Sequence, residues 1–150
     1  MAVTAFWYGE GLRRIVSGVG DGTPIVWTTD NIKVAMTTST YVPDQDLDQD
    51  FGDVTNEVTG TGYTQGGDLL ASKTQDYTAG TNIVKLDAAD TVWATSTIAN
   101  AAVAVIYKDT GTPATSPLLG YVLFGQDESS SAADFTITWS SDGILRVTAA

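Results

Sequence analysis

Along the second half of the chain, short runs of apolar, β-branched and aromatic residues alternate with turn residues. Residues 103–107, 118–124, 135–139 and 144–148 read as four successive strands. Between them lie 109–113, 125–133 and 140–143, rich in the Gly, Pro, Asp and Ser that favour turns. Turns at intervals of about 8–12 residues predict a sandwich or barrel. In the first half, an opening strand is predicted over 3–8. A short helix follows over Gly9–Ser17, where Leu12, Ile15 and Val16 fall at i, i+3 and i+4 on one face. Gly18, Gly20 and Gly22 stop it. Residues 24–27 and 32–37 read as a strand pair around 28–31, with Ile32, Val34 and Met36 alternating against Lys33, Ala35 and Thr37. Further short strands are predicted at 69–77, 82–86 and 91–94, the first two joined by a turn at 79–82.

Two places depart from this regularity. Residues 41–67 carry irregularly spaced apolar residues among Asp, Gly, Thr and Gln, a long connection of the kind that is functional or mobile. Strands 103–107 and 118–124 are apolar on both faces, which an antiparallel sheet with one wet face should not be. Either the helix and the long loop cover the second face, or another subunit does. Ile106, Leu119 and Tyr121 on these strands are therefore candidate interface residues, together with Phe6, Trp7 and Tyr8 in an N-terminal contact arm over 2–8. The predicted fold is all-β: one antiparallel, jelly-roll-like sandwich domain over 1–150 with a single short N-terminal helix.

Composition narrows the chemistry. The chain has no His and no Cys, so it can form no disulfide and lacks the commonest acid/base and nucleophilic side chains. Eighteen acidic against seven basic residues give a net charge of −11. That disfavours nucleic-acid binding, which needs clustered Lys and Arg. Arg13 and Arg14 are the one adjacent basic pair and read as solvated charge. No apolar run approaches the roughly 20 residues that cross a bilayer, and the N-terminus lacks a basic, signal-like start. A soluble protein made in a cytoplasm is expected.

The sharpest local pattern is the acidic run from Asp44 to Asp53. Counted from Asp46, carboxylates at Asp46, Asp48, Asp50 and Glu57 match EF-hand positions 1, 3, 5 and 12. Position 6, where that loop needs Gly, is Phe51, and no long helices flank it. These four are the candidate ligands for weak Ca²⁺ binding, against a plain solvated loop; no other cofactor is expected. The spacing of Gly18 and Gly20 is not followed by the Lys-Ser/Thr of a phosphate loop. The four tryptophans and six tyrosines could stack on sugars or fill a core. Ser129-Ser130-Ser131 has no His to activate it and reads as flexible loop. A non-enzymatic role is expected.

The run Asp53-Val54-Thr55-Asn56-Glu57-Val58-Thr59-Gly60-Thr61-Gly62-Tyr63-Thr64, then Gly66-Gly67, resembles a segment of small structural proteins of tailed bacteriophages. Ala104 to Tyr107, Pro117 to Val122, Phe124-Gly125, Phe135 to Trp139 and Gly143 to Leu145 fall in the same order, and Phe6 to Gly9 and 32–41 also fit. The resemblance spans nearly the whole chain and rests on structural motifs. It implies a virion component on the capsid surface: a head decoration, or cement, protein bound to the major capsid protein and to itself as a homo-oligomer, by analogy a trimer. A tail or fibre subunit is the alternative within the class, and a Ca²⁺-dependent carbohydrate-binding module the alternative outside it. No metal site carries over from the resemblance.

Overall fold

A computed structural model of the protein describes residues 4–17 and 24–149. Val3, the Ala2 end of the proposed arm, and Gly18, Gly20 and Gly22 lie outside them. β1 (Thr4–Trp7) leads into α1 (Gly9–Ser17), within the predicted bounds. There follow β2 (Ile32–Thr37), β3 (Gly60–Thr61), β4 (Asp68–Leu69), β5 (Thr74–Thr78), β6 (Ile83–Asp87), β7 (Thr91–Lys108), β8 (Leu118–Ile137) and β9 (Leu145–Thr148). All pairings are antiparallel. One sheet runs β1-β8-β7-β2-β4, with β3 also on β7, and a smaller sheet runs β5-β6-β9. This is the expected all-β sandwich with one short helix, its strands divided six and three.

Four predicted strands are two. Residues 91–94 and 103–107 both belong to β7, and 118–124 and most of 135–139 to β8; the expected loop at 125–133 is strand. The cause is bulging. Buried β7 side chains fall at Trp93, Ser96, Ile98, Ala101 and Val103, so two steps of three interrupt the period of two. Each long step contains a residue with positive φ, Thr95 (49°) and Asn100 (56°), and each coincides with a register shift against β8. Such bulges add a residue and a local twist without ending the pairing. The serine run serves this ribbon. Ser130 Oγ lies 2.8 Å from Ser96 Oγ, and the Asn100 amide donates to Ser129 Oγ (2.9 Å).

Residues 24–27 form no strand. β2 is flanked by β7 and β4, which leaves no edge for a further partner. The Val26 amide instead donates to Asp30 Oδ2 (2.7 Å) in a closed turn that sends Ile25 and Trp27 into the core. The 79–82 turn joins β5 to β6 as expected.

Two buried clusters flank the large sheet. Between the sheets, Leu86 and Leu145 meet Ile106, Leu119 and Val122. Gly120 permits this approach, since a Cβ there would lie 2.7 Å from Leu145 Cδ2. On the opposite face, Ala35, Val103, Val105, Tyr107, Leu118 and Tyr121 are covered by Tyr8 and Tyr41, with Phe51 and Val54 packed alongside. The second apolar face is thus closed by the chain's own long loop and by the residue at the mouth of α1. α1 sits close on β8 because Gly11 has no Cβ to strike the Leu118 and Leu119 backbone. Ile15 packs on the core, but Val16, placed on the same face by the sequence, is exposed.

Candidate functional site

The acidic loop is built by its own side chains. Asp44 Oδ1 accepts from the Asp46 and Leu47 amides (both 3.0 Å), and Asp48 Oδ2 accepts from the Asp44 amide (3.0 Å). Asp53 Oδ2 accepts from the Gln49 and Asp50 amides (2.9 and 3.1 Å). Aspartate favours such local backbone bonds, and these five, accepted by three aspartates, fix one loop conformation. The loop is tied down from beneath. Tyr41 Oη donates to Asp48 Oδ2 (2.7 Å), so the remaining bond of 2.7 Å has Tyr8 donating to Tyr41. Burial raises both phenols well above their ordinary pKa, and both remain protonated donors. Gln45 binds the Trp7 carbonyl through Nε2 (2.6 Å).

The four proposed Ca²⁺ ligands go to separate places. Asp46 is exposed, Asp48 serves Tyr41, and Asp50 faces Arg14 at 3.4 Å. Glu57 accepts from Tyr63 Oη (2.7 Å) and the Gly66 amide (2.6 Å). Among the described residues no three carboxylates gather as a metal-holding group. Asp44 and Asp48 of the alternating run, with Asp53 beyond it, serve instead as acceptors for backbone N–H groups. Arg14, read from sequence as solvated, is turned toward the loop.

Residues 53–67 form a strap over β2 and β7. Val58 is buried with its amide on the Met36 carbonyl (2.9 Å). Tyr63 Oη accepts from the Met36 amide (2.9 Å) while donating to Glu57. Gly67, at φ 68°, lies against the Val34 carbonyl, where any Cβ would collide. Beside the strap is a small cleft of about 340 Å³ lined by Lys33, Glu57, Tyr107 and Asp109. Burial raises the Glu57 pKa above the ordinary carboxylate range. The hydrogen bond from Lys33, 2.8 Å away, lowers that of Asp109. Each carboxylate is already held by donors of the chain, Glu57 by Tyr63 and Gly66, Asp109 by Lys33 and the Gly111 amide.

The proposed interface residues divide. Tyr8, Ile106 and Leu119 are fully buried and Tyr121 nearly so, all within the chain's own cores. They are therefore corrected to core residues: the apolar double face that suggested a partner is filled from within. Phe6 and Trp7 are half-buried; Phe6 stacks on Tyr121 (centroids 5.2 Å apart), and Trp7 Nε1 donates to the Arg146 carbonyl (2.9 Å), linking the two sheets. Trp27, Trp93 and Trp139 lie in the core, so none offers an open ring to a sugar. What the sequence did not single out are Val42 and Leu47, which stand 79% and 75% exposed on the acidic loop. Their signal was only two apolar residues among acids.

An open groove of about 950 Å³ lies between the sheets. One wall is β8 with Phe124, Phe135 and Ile137, and the other is β9 with Leu145 and Arg146. No protein-family profile, no curated protein and no solved structure matches the chain. No helix among the described residues is long and apolar enough to cross a membrane.

Proposed function

We propose that this chain is a structural protein of a tailed-phage virion, a decoration protein that binds the major capsid protein at capsomer junctions and reinforces the head. The observation that supports this best is the acidic loop. Its backbone is fixed by Asp44, Asp48 and Asp53, yet it holds Val42 and Leu47 out into solvent. A rigid loop displaying apolar side chains binds with little ordering cost, which suits an attachment element. The carboxylates around it favour a basic receiving surface. The apolar faces of β7 and β8 are closed within one chain, so self-association is not required by the fold, and the loop offers one contact with the shell. The likeness of residues 53–67 and of the β7 and β8 runs to phage structural proteins points the same way.

The test is location. Purified virions separated into heads and tails, each quantified by mass spectrometry, are expected to hold the protein in fixed stoichiometry with the major capsid protein. Recovery with tails alone, or with neither, contradicts the proposal.

A further inference from the structure

β8 is paired with β7 along its length, but its other edge meets β1 only over Gly120–Leu123. From Phe124 to Ile137 that edge has no strand partner among the described residues. An open strand edge presents unpaired N–H and C=O groups and templates the addition of another strand. Here the edge borders the groove, whose lining sets apolar Phe124, Phe135 and Ile137 beside polar Glu128, Asp134 and Arg146. One polar group is left over. Trp139 lines the groove and is 9% exposed, and its buried Nε1 has no hydrogen-bond partner. Buried indole N–H groups normally find an acceptor.

Charge selects the occupant. Between Phe124 and Ile137 the strand carries Asp127, Glu128 and Asp134 and no basic residue, so the acids outnumber the one cation on the facing wall, Arg146. A second copy of this chain, at net charge −11, is repelled from such an edge. We propose that the groove captures an extended basic segment of a different protein, which adds as a strand to the β8 edge. Apolar side chains of that segment at alternate positions seat against Phe124, Phe135 and Ile137. Its Lys or Arg side chains face Glu128 and Asp134, which line the groove. This is recognition by strand addition, in which main-chain bonds give affinity and alternate pockets give selectivity. It deepens the assembly reading by naming the chemistry of the partner.

The test uses the intact protein and an eight-residue alternating Lys-Val peptide, followed by amide and indole NMR shifts. Binding is expected to move the amides of residues 124–137 and the Trp139 indole N–H. N-methylation of alternate peptide amides is expected to weaken it at least tenfold, as is the double variant Asp127→Lys, Glu128→Lys, whose melting temperature should match the wild type. No binding, equal binding of a Glu-Val peptide, or shifts confined to other surfaces overturns the inference. Concentration-dependent changes in the same amides without peptide also overturn it, assigning the groove to a second copy. Heads that take up the double variant as well as the wild type remove the groove as the contact but leave the assembly reading standing. Peptide binding by a protein absent from virions does the reverse.

Discussion

Phe51 of the acidic loop lies face to face on Tyr107 of β7, with ring centroids 4.0 Å apart and planes within 8°. This pair covers the Tyr107 end of the outer face of β7, beside Tyr8 and Tyr41. Tyr107 is fixed in turn by a bond from its hydroxyl to the Gly66 carbonyl (2.7 Å), so loop, strand and strap meet at one ring. Phe51→Ala is expected to lower stability by about 1–3 kcal/mol, below the range for a fully buried Phe because Phe51 is only half-buried. Urea denaturation measures it; no change in midpoint would show that the loop is not part of the folded unit.

The Tyr8–Tyr41–Asp48 chain predicts unequal effects of removing either hydroxyl. Tyr8→Phe leaves Tyr41 bonded to Asp48 and should cost about 0.5–1.5 kcal/mol. Tyr41→Phe removes both bonds and leaves the buried Tyr8 donor without an acceptor, costing about 1–3 kcal/mol. Equal losses, or the reverse order, would contradict the direction of donation.

The helix, the β5–β6 turn and the all-β class are legible in the sequence because each rests on a local signal: Leu12 and Ile15 at helical spacing, a Gly-Thr-Asn turn, alternating apolar residues. The length of β7 and β8 is not legible. Thr95, Asn100 and Ala132 take positive φ without being glycine, and each bulge resets the alternation that marks a strand. Serines that read as loop are cross-strand partners instead. The acidic run misleads for a related reason: aspartates at alternate positions look the same whether they converge on a cation or cap successive amides. Which of these applies depends on the side chains they meet: Tyr41 for Asp48, seven residues away, and Arg14 for Asp50, 36 residues away and invisible to a local pattern.

Glu57 and Asp109 predict opposite dependences on pH. An acid whose folded pKa is raised holds its proton more tightly when folded. Its contribution to stability is complete below the ordinary glutamate pKa and is lost as pH rises through the raised value. Glu57→Gln is therefore expected to gain stability relative to wild type as pH rises through that window. Asp109, with a lowered pKa, contributes above the ordinary aspartate value and loses that contribution as pH falls through its own. Asp109→Asn should cost about 0.2–1 kcal/mol at neutral pH, as befits a partly exposed pair, and nothing in strong acid. Denaturation midpoints of the three proteins from about pH 2 to about pH 8, reaching below the ordinary aspartate value and above the ordinary glutamate value, test both signs.

Metal removal is expected to leave the melting temperature nearly unchanged, because Asp48, Asp50 and Glu57 already have donors of the chain. A large drop in EDTA that Ca²⁺ reverses would reveal a stabilising ion through linkage and contradict this arrangement of the loop.

Reinforcement of the head is tested most directly by heating phage heads prepared without the protein, then with it restored. Restored heads are expected to bind a fixed number of copies per capsomer and to release their DNA at a higher temperature, since a subunit bridging neighbours favours the assembled state. The double variant Val42→Asp, Leu47→Asp, exposed enough to fold normally, is expected to lose both binding and protection. Bare and restored heads that break at the same temperature, or heads that bind no protein, would contradict the proposal.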